Sequence, residues 1–116
     1  MSETNVATAE AYYQAMTNKD LDGMAQRLHP DVRLTGPLSN LNGKGAVLEA
    51  AKKLLTQSDG VKVHSRFGSK DQVALTYDML FHEPIGICRT AVLMTFKDGL
   101  IVGIELFFDA RPFVAA

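Results

Sequence analysis

Tryptophan is absent from this chain and cysteine occurs once, as Cys88. A lone thiol cannot close an intrachain disulfide, so the fold must be held by its core, and a reducing cytoplasm is the simplest compartment for it. An excess of charge of one sign is also lacking. Twelve Lys and Arg stand against thirteen Asp and Glu, for a net charge of -1. That balance offers no general attraction to phosphate backbones or anionic lipid, which argues against nucleic acid and membranes as partners. No apolar run approaches the roughly 20 residues of a membrane span. The opening MSETNVATAEAYY carries acids where a signal peptide needs a basic start and an apolar core. Repeats, low-complexity tracts and linkers are missing. His29, His64 and His82 have no metal-ligand spacing, so neither a metal nor a cofactor is implied. NGKGA lacks the spacing and the hydroxyl of a phosphate loop, and is read as a helix start.

What is present is an ordinary globular composition, 47% hydrophobic and 22% charged over 116 residues. The whole chain, 1–116, is expected to be one domain, and at this length roughly two-thirds of the unfolded surface is buried. Residues 5–17 place Val6, Ala9, Tyr12, Tyr13 and Met16 on one helical stripe. Asp20 suits the N-cap of a short second helix with Leu21, Met24, Ala25 and Leu28 inward, stopped by His29-Pro30. A strand over 31–35 runs to a Gly36-Pro37 turn, and PLSNLNG reads as a loop. GAVLEAAKKLL is a third helix, opened by Gly45 and ended near Ser58-Asp59-Gly60. Four strands follow, about 61–67, 72–82, 87–97 and 100–109. In the second of these, Val73, Leu75, Tyr77, Met79 and Phe81 alternate with Thr76, Asp78 and His82. Helices first and a meander afterwards predict an α+β domain with the helices on one face of an antiparallel sheet.

The succession AYYQAMTNKDLDGMAQRLHPDV, a Gly-Pro turn, GKGAVLEAAKKL and a closing GLIVGIELFFDARPF resembles the NTF2-like superfamily, near its SnoaL-like members. The resemblance spans nearly the whole chain. It implies a cone-shaped, cystatin-like fold in which a bent antiparallel sheet wraps three N-terminal helices around an apolar cavity, with two protomers paired through their outer sheet faces. Known activities in the superfamily include steroid isomerases, epoxide hydrolases, dehydratases and polyketide cyclases, beside members that only bind or assemble. Fold therefore does not choose the function. Laid against the ketosteroid isomerases, a helix-one tyrosine falls on Tyr12, but the proton-shuttling aspartate falls on Gly36 and the oxyanion-hole aspartate on Val92. A missing general base typically costs 10²- to 10⁴-fold, which argues against that chemistry here. The Arg-x-Asp strand pattern of the family's epoxide hydrolases is absent, since Arg89 is followed two positions on by Ala91.

HPDVRLTGP, residues 29–37, gathers a histidine, an acid and a base. Because no nucleophile lies nearby, His29, Asp31 and Arg33 are read as scaffold where a helix stops and a strand begins. The expected ligand-binding set is Tyr12, Met16, Met24 and Leu28 from the helices, with Tyr77, Met79, Phe81, Val92, Met94, Ile104, Leu106 and Phe108 from the strands. Inward carboxylates and histidines are missing from it. The resemblance implies that Cys88 points into the cone with Thr90, Val92, Met94 and Phe96, and it is expected to be a small buried hydrophobe. On the outer face, a three-residue hairpin loop at 98–100 would set Arg89 opposite Asp109, and leave Phe107, Leu93 and Leu80 exposed for a second copy. The expected function is binding of a small hydrophobic molecule. An enzyme of isomerase, cyclase or hydrolase type, and a dimeric interaction module with a filled cone, stand as alternatives. No catalytic residue can be named from the sequence.

Overall fold

The computed structural model describes residues 2–114. Helix α1 spans Ser2–Thr17, with Ala9, Tyr12, Tyr13 and Met16 buried on the expected stripe. Helix α2, Leu21–Ala25, is capped as expected: the Asp20 carboxylate accepts from the Gly23 backbone N at 3.0 Å. It ends earlier than the spacing predicts. Leu28 already belongs to strand β1, Leu28–Thr35, because the sheet claims the backbone there: the Ile101 N donates to the Arg27 carbonyl at 2.8 Å. Strand β2, Asn40–Asn42, occupies what reads as a loop, and three residues are too few to show a period.

Helix α3, Lys44–Gln57, leads into the meander β3 Ser58–Ser69, β4 Gln72–Phe81, β5 Ile87–Lys97 and β6 Leu100–Phe108, followed by a 3₁₀ turn at Arg111–Phe113. The six strands form one sheet in the order β2-β1-β6-β5-β4-β3. Four pairings are antiparallel, whereas β1 runs parallel to β6, so the sheet is mixed rather than wholly antiparallel. Parallel neighbours need a long crossover, and here everything from β2 to β5 supplies it. Register shifts in β1–β6, β3–β4 and β5–β6 bend an open sheet around the helices. This is the α+β cone.

The last hairpin corrects one expectation. Its loop is two residues, Asp98 and Gly99, with φ of 54° and 78°, the left-handed pair that a type I′ turn requires. A bulge at Thr95/Phe96 then restores the register, so Leu93 faces Glu105 and Ala91 faces Phe107. The Arg89–Asp109 pair does not form. Strand β6 stops at Phe108, Arg111 takes Asp109, and the Arg89 Nε donates to Asp78 at 2.9 Å.

The two ends of the cone are filled differently. Leu28 sits beside Ile101, and Ile101 beside Phe96. At this end Met24, Leu28, Val32, Val92, Met94 and Ile101 are all at most 1% exposed. The other end, where β4 finishes and β5 begins, is open.

On the outer face Asp78 is buried by its own partners. The His64 Nε2 lies 2.9 Å from Oδ2, and Arg89 takes Oδ1. The His64 hydrogen bond first, and Arg89 second, hold the Asp78 carboxyl below its ordinary value. A lowered folded-state pKa contributes stability that is complete above the unfolded value, about 3.9, and is lost as pH falls through the folded one. Asp78→Asn should therefore be less stable than wild type at pH 7, with the gap closing below about pH 4. Urea midpoints of both proteins between neutral pH and pH 3 check this; a gap that does not change with pH would contradict it.

Candidate functional site

The open end holds a cavity of about 210 Å³. Its buried floor is Tyr12, Tyr13 and Met16 from α1, Val47 and Ala51 from α3, Tyr77 and Met79 from β4, Cys88 and Thr90 from β5, and Ile104 from β6. Its partly exposed rim is Leu34, Leu41, Leu54, Phe81, Leu106, Phe108 and Phe113, with Ser39 and Ala50 outermost. Among the described residues, no Asp, Glu, Lys, Arg or His lines the wall. Helical spacing on α1 and period two on β4 and β6 bring these side chains to one point.

The polar atoms gather at the floor. The Tyr13 and Tyr77 hydroxyls lie 3.1 Å apart, so one donates to the other. Tyr12 packs edge-on against the Tyr13 ring, with centroids 5.3 Å apart, and is 3% exposed. Its hydroxyl has no hydrogen-bond partner among the described residues. Tyr12 is among the residues that line the cavity. Burial first, and Tyr77 second, push the Tyr12 pKa above the ordinary phenol value, and burial likewise raises Tyr13 and Tyr77. All three are protonated donors at neutral pH. The Thr90 hydroxyl donates to the Cys88 carbonyl at 3.2 Å.

Of the residues expected from the sequence, Tyr12, Met16, Tyr77, Met79, Phe81, Ile104, Leu106 and Phe108 reach the cavity. Met24, Leu28, Val92 and Met94 do not: they lie in the packed end, filled by α2 and the start of β1. The period of β5 continues through both ends, so it could not tell wall from core. Cys88 and Thr90 do line the cavity, and so does Tyr13, which supplies the partner for Tyr77. Leu34 lies in the strand expected over 31–35, Val47 and Ala51 in the third helix, and Leu41 in what reads as a loop. Gly36 lies beside the wall, where an added Cβ would be 3.4 Å from Leu106. His29 is outside the cavity, its Nδ1 accepting from the Asp31 N at 3.0 Å.

Residues 9–104 match the SnoaL-like domain. The chain belongs to that family. Among curated proteins none matches the sequence. Solved structures similar to this SnoaL-like domain include a protein from Kribbella flavida, 27% identical with a TM-score of 0.86, covering 93% of this chain and 88% of that one. An NTF2-like protein of unknown function from Cytophaga hutchinsonii is 19% identical with a TM-score of 0.82, covering 93% and 92%. An LEH-like epoxide hydrolase from M. tuberculosis is 18% identical with a TM-score of 0.81, covering 94% and 85%. The last two carry the fold alone. No helix of this SnoaL-like domain, among the described residues, is long and apolar enough to cross a membrane.

Proposed function

We propose that this SnoaL-like domain binds a small, uncharged, mostly apolar molecule in the cavity, with one hydrogen-bond acceptor directed at Tyr12. The observation that carries the reading is the unpartnered Tyr12 hydroxyl at the floor of a wall without charged side chains. A ligand oxygen accepting from this hydroxyl would add a hydrogen bond worth about 0.5–1.5 kcal/mol. A carboxylate ligand would find no cation. Phenols held protonated favour polarising or holding an oxygen over acting as bases, which supports binding ahead of acid–base catalysis. The lone thiol, buried in the wall, fits a reducing cytoplasm.

Titration calorimetry with cyclohexanone tests the site. Tyr12→Phe should weaken binding by about 0.5–1.5 kcal/mol, while His29→Ala should match wild type. Loss in His29→Ala with Tyr12→Phe unaffected would move the site out of the cone.

A homodimer through the outer sheet face completes the reading. Phe107 and Phe67 are 54% and 65% exposed. Between them run Ala74, Leu93 and Ala91, on the same face by register, while Leu80 and Leu93 are half-buried rather than exposed. A patch of this kind beside charged groups suits a second chain. Phe107→Glu should sediment as a monomer where wild type sediments as a dimer. A monomeric wild type at micromolar concentration would remove the idea.

A further inference from the structure

We propose that Phe113 sets the length of the ligand: its ring caps the open end of the cavity and stops an apolar chain that enters with its oxygen toward Tyr12. This rests on the binding reading above and adds a specificity-determining residue to it. Phe113 lies outside the helices and strands that build the cone, yet it lines the cavity while remaining partly exposed, so it stands at the mouth. Two rings hold it. The Phe81 centroid is 5.1 Å away and the Phe108 centroid 5.5 Å away, both near-perpendicular at 73°, the edge-to-face arrangement that favours aromatic pairs.

The turn that carries the ring is pinned from outside. The Arg111 backbone N donates to the Asp109 carboxylate at 3.0 Å, and its guanidinium donates to both oxygens of that carboxylate. The Phe113 N closes on the Ala110 carbonyl at 3.0 Å. Arg111 holds the Asp109 pKa down to about 2, so that carboxylate is ionised throughout the neutral range. Val114 is 63% exposed and the Arg111 side chain 89% exposed. Removing the ring should therefore widen the mouth between Phe81 and Phe108.

Size points the same way. A dry cavity of about 150 Å³ holds a benzene, so about 210 Å³ holds one ring or a short chain with its oxygen. A longer tail would have to pass the Phe81, Phe108 and Phe113 rings.

The test is calorimetric titration of methyl ketones from pentanone to decanone against wild type, Phe113→Ala and Phe113→Trp, each checked for a cooperative melt. Wild-type affinity should rise with chain length and then reach a limit. In Phe113→Ala the limit should move to longer ketones, gaining about fourfold per additional methylene seated, with the shortest ketones unchanged. In Phe113→Trp it should move to shorter ones. Should Phe113→Ala not fold, Asp109→Asn, which frees the turn but keeps the ring, should shift the limit the same way by less. An identical limit in wild type and the folded variants would overturn the role of Phe113 and leave binding intact. A wild type that binds no ketone would overturn the binding reading, and this proposal with it.

Discussion

Gly60→Ala should cost about 2–5 kcal/mol, the sum of about 1–2 for a left-handed backbone and about 1–3 for forced overlap. Gly60 has φ of 103°, and an added Cβ would lie 2.7 Å from the Thr17 Cα and 2.8 Å from its Cβ. Backbone cannot swing aside as a long side chain can. The clash falls on the seam between α1 and β3, where the Thr17 hydroxyl donates to the Tyr13 carbonyl and accepts from the Val61 N, both at 3.1 Å. Moving Thr17 would shift Tyr13, so the cavity floor should suffer with the fold. Gly99→Ala is the control: φ is 78° there, but nothing lies within 4 Å of the new Cβ, so only the backbone cost of about 1–2 kcal/mol applies. Urea unfolding of the two variants separates these effects. Equal losses would mean that the close approach of α1 to β3 does not exist in solution.

Ala51→Trp should abolish ligand binding, by more than about 100-fold or roughly 2.7 kcal/mol, with little loss of stability. Ala51 is 5% exposed and lines the cavity from α3, so an indole there grows into existing space. Met94→Trp makes the contrast. Met94 is 0% exposed in the packed end, and the same indole would overpack it at about 1–3 kcal/mol. Cyclohexanone titration beside thermal melts of both variants checks this. If Ala51→Trp bound cyclohexanone as wild type does, the ligand would sit elsewhere than in the cone.

Much of this architecture is legible in the sequence because its elements obey single periods. The β4 alternation of Val73, Leu75, Tyr77 and Met79 holds in the folded chain, and Asp20 caps α2 as its side chain suggests. Failures occur where distant backbone decides. Leu28 fits a helical face by spacing, yet pairing with Ile101 makes it strand. Asp78 looks like an ordinary outward acid, and nothing local predicts that His64 and Arg89 will enclose it. The ligand-binding set divides for the same reason. Val92 and Met94 share their face with Thr90 and Cys88, and only the position of α2 along the cone decides which pair is sealed and which borders open space. Phe113 lies in RPF, three residues with no period.

The parallel pairing of β1 with β6 also fixes an order of events in biosynthesis. A chain emerging from the ribosome exposes β1 early, but its central partner comes last, and pairings so remote in sequence are slow to form. Until Leu100–Phe108 has appeared, Leu28 has no Ile101 to lie beside, and the wall lacks Ile104, Leu106 and Phe108. The nascent chain can form helices and the β3–β5 hairpins, but it has no closed end and no cavity. A ligand of the kind proposed would therefore meet only the finished cone. A ligand added during synthesis should raise the yield of folded protein without speeding its first appearance.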